Sequence, residues 1–330
     1  MRFSQEEKYE TIRLVSASEL GVNRTLRELG IHKSTFYKWY DAFKEKGYDG
    51  LLNKPCKQKQ YWNRLSDKER QTVVEIALEH PEKSSREVAC YITDTQGWYV
   101  SESTVYRILK AQGLIQQSAY DVIKAADEYK DKTVRVNELW QTDFTYFKIV
   151  GWGWYYLSTI LDDYSRYIIA FKLCKNMKAT DVQDTLDVAL QVTGLTKKQM
   201  PRLLSDNGSC YVSNDLKTYL HDISIKHIRG RIHHPQTQGK IERYHRSMKN
   251  VIKLDNYYAP EELERAVADF VKYYNYHRYH ESINNLTPAD VYYGRGNRIL
   301  ERRAKTKLRT LSKRKQVYLK TKSIQEHAKK

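Results

Sequence analysis

LWQTDFTYFKIV, residues 139–150, is a run of aromatic and β-branched residues with a single acid near its centre. Period-two alternation predicts a strand with Gln141, Asp143 and Thr145 on one face and Trp140, Thr142 and Phe144 on the other. A carboxylate in so apolar a strand is expensive to bury unless it binds a cation or accepts hydrogen bonds. Two more β-rich runs follow, WYYLSTILDDYS (154–165) and RYIIAFKLC (166–174), behind a Gly151-Trp152-Gly153 turn. Residues 178–194 then read as a helix, 201–208 as a short strand, 213–223 as a helix and 225–230 as a brief strand. A long helix containing Glu242 comes next, and another runs from about Pro260 to Tyr279. Three consecutive strands followed by alternating helix and strand argue for a mixed, five-stranded sheet covered by helices.

Upstream the pattern is helical. Residues 5–17 place Tyr9, Ile12 and Val15 at helical spacing behind Ser4, a plausible N-cap. Val22 to Leu29 forms a second helix, and a Gly30-Ile31 turn leads into a third that ends at Gly47. That layout is helix-turn-helix, in which the third helix enters the DNA major groove. Its reading face comprises Lys33, Ser34, Thr35, Tyr37 and Lys38. An ordinary small helical bundle is the plainer alternative. The arrangement recurs after a basic linker, where Ser103, Thr104 and Arg107 face outward from the last helix. Two linked modules give a bipartite DNA grip, because each neutralises only a few phosphates. The predicted divisions are residues 1–55 for the first helix-turn-helix domain, 56–65 for a linker and 66–115 for the second such domain. A connector (116–136), an α/β core (137–294) and a basic C-terminal tail (295–330) follow.

The chain of 330 residues carries a formal charge of +17. Fourteen Lys/Arg against two Glu fall in residues 295–330, a block that reads as a solvated extension or a contact to target DNA. Such a balance favours nucleic acid over small anionic substrates. The first residues lack an apolar segment, so no secretory signal is expected, and no run is long and apolar enough to span a bilayer. Four isolated cysteines fit a reducing compartment and offer no cysteine-based zinc site.

Three acids stand out. Asp143 lies inside its strand, and Asp206 projects at a strand end in Ser205-Asp206-Asn207-Gly208, where a simple turn is the bland alternative. Glu242 is the sole carboxylate among eight Lys/Arg between Asp222 and Asp255. An ion pair with Arg246, worth only about 0.3–0.5 kcal/mol, would be its bland explanation. Thirty-five residues separate Asp206 from Glu242. Together with Trp140-Gln141-Thr142 before Asp143, Gly208-Ser209 after Asp206 and His234-Pro235-Gln236-Thr237-Gln238-Gly239 before Glu242, the three resemble the DDE triad of the retroviral-integrase and transposase superfamily. Lys249 matches the basic position of the family on the same helix. Tyr274, Asn275, Arg278, His280, Thr287, Pro288 and Gly294 resemble the closing segment of bacterial insertion-sequence transposases.

The resemblance implies N-terminal all-α helix-turn-helix domains followed by an α/β ribonuclease-H-like catalytic core, with Asp143, Asp206 and Glu242 gathered at one sheet edge. It implies two Mg²⁺ ions, replaceable by Mn²⁺, and DNA 3′-end cleavage with strand transfer and no protein nucleophile. The partners implied are double-stranded DNA, as element ends and target, and further copies of the chain in at least a dimer. The setting implied is cytoplasmic and nucleoid-associated, with no membrane. His234, Gln236, Gln238, Lys240, Arg243, Arg246 and Lys249 are expected on the DNA. Asp162-Asp163 is the rival acidic pair, expected to form a turn or to contact Arg166. A catalytically silent DNA-binding regulator and a ribonuclease-H-type nuclease without strand transfer are the competing functions.

Overall fold

Ser4 begins the first helix by accepting a hydrogen bond from the backbone of Glu7, whose carboxylate returns one to Ser4. The computed structural model describes residues 3–53, 61–115, 133–230 and 238–327. Two units emerge, Met1–Tyr61 and Trp62–Lys330. In the first, α1 (Gln5–Ala17), α2 (Val22–Glu28) and α3 (Lys33–Lys46) surround Ile12, Val15, Leu26 and Phe36. Gly30, at φ +66°, makes the turn between α2 and α3. A 3-10 turn at Gly47–Leu51 closes the unit, pinned by the buried Lys8, which donates to Leu51 O at 2.9 Å.

The second unit opens with α4 (Asp67–Glu79), α5 (Ser85–Thr95) and α6 (Glu102–Ala111) around Val73, Ile76, Val88, Ile92 and Val105. Ser66 with Glu69 and Ser84 with Glu87 form capping boxes that fix where α4 and α5 start. Most of the expected linker and connector lies outside the described residues.

The sheet follows: β1 (Leu139–Ile149), β2 (Gly153–Asp162), β3 (Ile168–Cys174), β4 (Arg202–Ser205) and β5 (Lys226–Arg229). Its order is β3-β2-β1-β4-β5. The first three strands are antiparallel neighbours, while β4 runs parallel to both β1 and β5. This is the mixed five-stranded sheet expected from the sequence. Both of its faces are covered, which explains why the strands read as nearly continuous apolar runs. On one face Phe147, Ile149, Leu157 and Leu161 pack on α10 (Gly239–Ile252) and α11 (Pro260–Tyr276). On the other, Trp140, Ile160 and Leu203 pack on α7 (Ala179–Thr193) and α9 (Asn214–Asp222). A single turn, α8 (Ser209–Val212), precedes α9. The helix expected to reach Tyr279 ends at Tyr276, because the chain turns back so that His280 can pair with Leu286. Among the described residues no helix is long and apolar enough to cross a membrane.

After α12 (Pro288–Tyr292), the basic tail differs from a solvated extension: residues 296–327 form one helix, α13 (Gly296–His327). The reason is a docked face. Arg303 donates to both carboxylate oxygens of Asp94 on α5, at 2.9 and 2.6 Å, and to Asn285 O at 2.9 Å. Thr310 Oγ1 accepts from Tyr99 N, and Arg314 donates to Glu69 on α4 at 2.9 Å. Arg303 and Asp94 side chains are only 14% and 13% exposed, so losing Arg303 leaves a mostly buried carboxylate with only Tyr279 and the more distant Arg302 beside it among the described residues. Arg303→Ala is therefore expected to cost about 3 kcal/mol locally and to speed amide exchange in residues 296–314 by roughly a hundredfold. Unchanged exchange there would show that the helix does not depend on this docking.

Candidate active site

β1 supplies the centre of the site. Asp143 lies midway along it, accepting from Phe144 N at 2.8 Å through Oδ1, with His245 Nδ1 3.4 Å from Oδ2. Parallel pairing sets Gln141 opposite Leu204, and this register carries the end of β4 toward Asp143. There Asp206 turns the chain, its Oδ1 accepting from Gly208 N at 2.9 Å, while Asn207 Nδ2 donates to Gly230 O at 2.7 Å beyond β5. The turn expected of this segment is present as local geometry. It orients the carboxylate without consuming it.

The helix carrying Glu242 is seated by glutamines. Gln141 Oε1 accepts from Ile241 N at 3.1 Å, capping the first turn of α10 from the neighbouring strand, and Gln141 Nε2 donates to Asp163 Oδ1 at 2.7 Å. Gln238 Nε2 donates to Thr142 O at 3.2 Å and Leu204 O at 3.4 Å, bridging β1 and β4. Ile241, Tyr244, His245, Met248 and Ile252 form the buried stripe of α10. This phase leaves Glu242 on the side that opens toward Asp143. A cavity of about 450 Å³ lies between them, lined by Asp143, Glu242, His245, Arg246, Lys249 and Lys253 among others.

The electrostatics of the acids run through Asp143. Burial raises the Asp206 carboxyl above its ordinary range, and the charge of Asp143 adds to the rise against the pull of the Gly208 N–H. Burial and then Asp143 raise the Glu242 carboxyl, outweighing Arg246, His245 and Arg243. Among the described residues no three His, Cys, Asp or Glu side chains close to the spacing of a single metal ion. The charge of Asp143 instead acts on Asp206 and on Glu242 separately.

Several expected contacts change. Gln238 was expected on DNA, but it is buried, 6% exposed, and its amide is spent on two strand carbonyls. Lys240 was expected on phosphate, but it is 18% exposed and donates to Asp163 Oδ2 at 2.5 Å. A lysine in that first turn points back to the end of β2 rather than outward. Arg243 and Arg246 are exposed, and Lys249 lines the cavity. His234 and Gln236 lie outside the described residues. On α3, Lys33, Ser34, Tyr37 and Lys38 are exposed, Thr35 is half-buried, and Phe36 anchors the opposite side. On α6, Arg107 donates to Ser103 O and Thr104 Oγ1, so the three share one face.

The rival acids are structural. Asp162 is buried and accepts from Ser165 N, Ser165 Oγ and Asn137 N, a turn as expected. Asp163 accepts from Arg166 through its carbonyl, and its carboxylate takes Thr133, Gln141 and Lys240. His280 is held neutral, its pKa pushed down to about 3 by burial and by Arg278 and Arg166. The sequence reading did not single out His245. Its signal was its place in the apolar stripe, three residues after Glu242, where an imidazole is unexpected.

Residues 133–235 and 223–288 match the integrase core domain, and residues 4–52 and 35–109 match homeodomain-like domains. The chain thus carries an integrase-like core behind N-terminal homeodomain-like domains. It is 28% identical over 188 residues to the putative transposase InsK for insertion sequence element IS150 of Escherichia coli (strain K12), covering 56% of this chain and 64% of that protein. The transposase for insertion sequence element IS629 of Shigella sonnei is 26% identical over 211 residues, covering 59% of this chain and 69% of that protein. The HTLV-2 integrase catalytic core domain, solved in complex with magnesium, is 21% identical with a TM-score of 0.39, covering 48% of this chain and 98% of that one.

Reassigning Gln238 has a direct check. Gln238→Ala leaves two buried carbonyls without their donor, so it is expected to destabilise the fold by about 1–3 kcal/mol while DNA affinity stays within about twofold. Lost affinity at an unchanged melting temperature would restore the DNA contact.

Proposed function

We propose that the chain is a transposase that binds the terminal inverted repeats of a mobile element, cuts its 3′ ends and joins them to target DNA. The observation that carries this reading is the sharing of Asp143 between two acids beside a cavity lined by Arg246, Lys249 and Lys253. Two carboxylates raised by burial and by the charge of a third suit divalent cations, which prefer oxygen donors and take substrate phosphate oxygens as further ligands. Asp143 with Asp206 would hold one Mg²⁺, and Asp143 with Glu242 a second; Mn²⁺ would serve in their place. Such ions activate a water or DNA 3′-hydroxyl and stabilise the leaving oxygen of an in-line displacement.

The rest is work for side chains of the chain. Arg246, Lys249 and Lys253 pair with phosphates and draw the strand toward the acids. His245, in the cavity lining, supports Asp143 from 3.4 Å, and Gln141 and Gln238 hold α10 against the strands. Lys33, Ser34, Thr35, Tyr37 and Lys38 on α3, with Ser103, Thr104 and Arg107 on α6, read the element ends. Two ends handled together require at least a dimer on double-stranded DNA.

A strand-transfer assay with oligonucleotides bearing the element ends, in Mg²⁺ or Mn²⁺, tests the proposal. Joined product is expected from the unaltered chain, and Glu242→Gln should abolish it while end binding stays within about twofold. Binding without cleavage in any metal would identify a silent regulator, and cleavage of the RNA strand of a hybrid without end specificity would identify a nuclease.

A further inference from the structure

The outer half of the β1–β2 hairpin carries an aromatic surface that the chemistry proposed above does not use. Tyr146 lies opposite Tyr156, and Lys148 opposite Trp154, so these four side chains share one face of the sheet. The covering helices leave this end open: Tyr146 is 50% and Trp154 54% exposed. The two rings meet edge to face, with centroids 5.4 Å apart and planes at 77°. An edge-to-face contact braces an indole and covers at most one of its two flat faces.

This surface adjoins the candidate active site through one residue. Lys249 Nζ stands 4.4 Å from the centroid of the Tyr146 ring, and Lys249 also lines the cavity that holds Asp143 and Glu242. The charge is of one sign, since Lys148 is the sole charged residue in the segment 144–156. Exposed rings interleaved with lysines suit a nucleotide better than a protein partner. A base offers a π-face to an indole and its phosphate offers an anion to lysine, whereas the core of a protein interface is depleted of lysine.

We propose that Trp154, braced by Tyr146, is a stacking platform for an unpaired base of the DNA strand that enters the neighbouring cavity, with Lys249 pairing the adjoining phosphate. The proposal rests on the reading of that cavity as a site for a DNA strand. A base inside a duplex has both faces covered by its neighbours, so the ligand class is a single-stranded end or overhang.

The test compares dye-labelled duplexes of generic sequence, blunt or with a short single-stranded overhang, by fluorescence anisotropy with the full chain in EDTA. One stacked base is worth fivefold or more, roughly, in affinity, so the overhang is expected to be preferred by about that ratio. Trp154→Ala should bring the ratio to one with blunt-duplex affinity unchanged, and Trp154→Phe should keep most of it. A ratio of one in the unaltered chain, or a ratio that survives Trp154→Ala, overturns the proposal. So does a Trp154→Ala chain that sediments as a smaller species with the ratio intact, which would mark the hairpin as a surface between copies. Strand joining measured on the same preparation separates the two readings. Joining with a ratio of one sinks the platform alone, and a Trp154-dependent ratio without joining leaves the platform standing and sinks the catalytic reading.

Discussion

The side-chain amide of Gln141 is 1% exposed and has two partners from two different elements. One end donates to Asp163 at the close of β2, and the other accepts from Ile241 at the start of α10. A buried amide costs several kcal/mol when its partners are missing, so each of these elements is fixed once the glutamine is buried. Asp163 draws Thr133 and Lys240 into the same cluster, and Gln238 adds the tie between β1 and β4. Every element that carries one of the three candidate acids is therefore pinned to its neighbours by a buried, satisfied polar network. Such networks specify one arrangement, because a half-satisfied alternative is worse than an apolar core.

That rigidity has an electrostatic cost. Asp143 is held near two other acids, and each is pushed toward its protonated form by burial and by Asp143. The chain offsets this only in part, through His245, the arginines of α10 and the amide of Gly208. On the proposed function, this residual cost is offset by divalent cations that bind with the substrate. Arg246, Lys249 and Lys253 line the same cavity, and on the proposed function they would draw a polyanion toward these acids.

Much of this could be read in advance, for local reasons. Ser4 announced a helix start, and alternation in residues 139–150 set the face on which Asp143 lies. The flanking residues of Asp143, Asp206 and Glu242 gave the resemblance. The direction of a side chain at a helix start was less legible. Lys240 and Gln238 precede Glu242 in a basic, polar segment, and composition could not say that both turn inward to partners 77 and 34 or more residues away. The docking of α13 was hidden for the same reason. The basic character of residues 295–330 is plain, but the partner that makes Arg303 structural is Asp94, 209 residues upstream. His245 was legible only as an oddity in an apolar stripe.

The central claim is that Asp143 is shared between two cation sites, one completed by Asp206 and the other by Glu242. Titration of Mn²⁺ by electron paramagnetic resonance, on the full chain bound to duplex DNA, addresses it directly. Beyond the Mn²⁺ held by the duplex alone, two ions are expected on the unaltered chain, one on Asp206→Asn or Glu242→Gln, and none on Asp143→Asn. An Asp143→Asn chain that binds Mn²⁺ beyond the duplex background would contradict the claim.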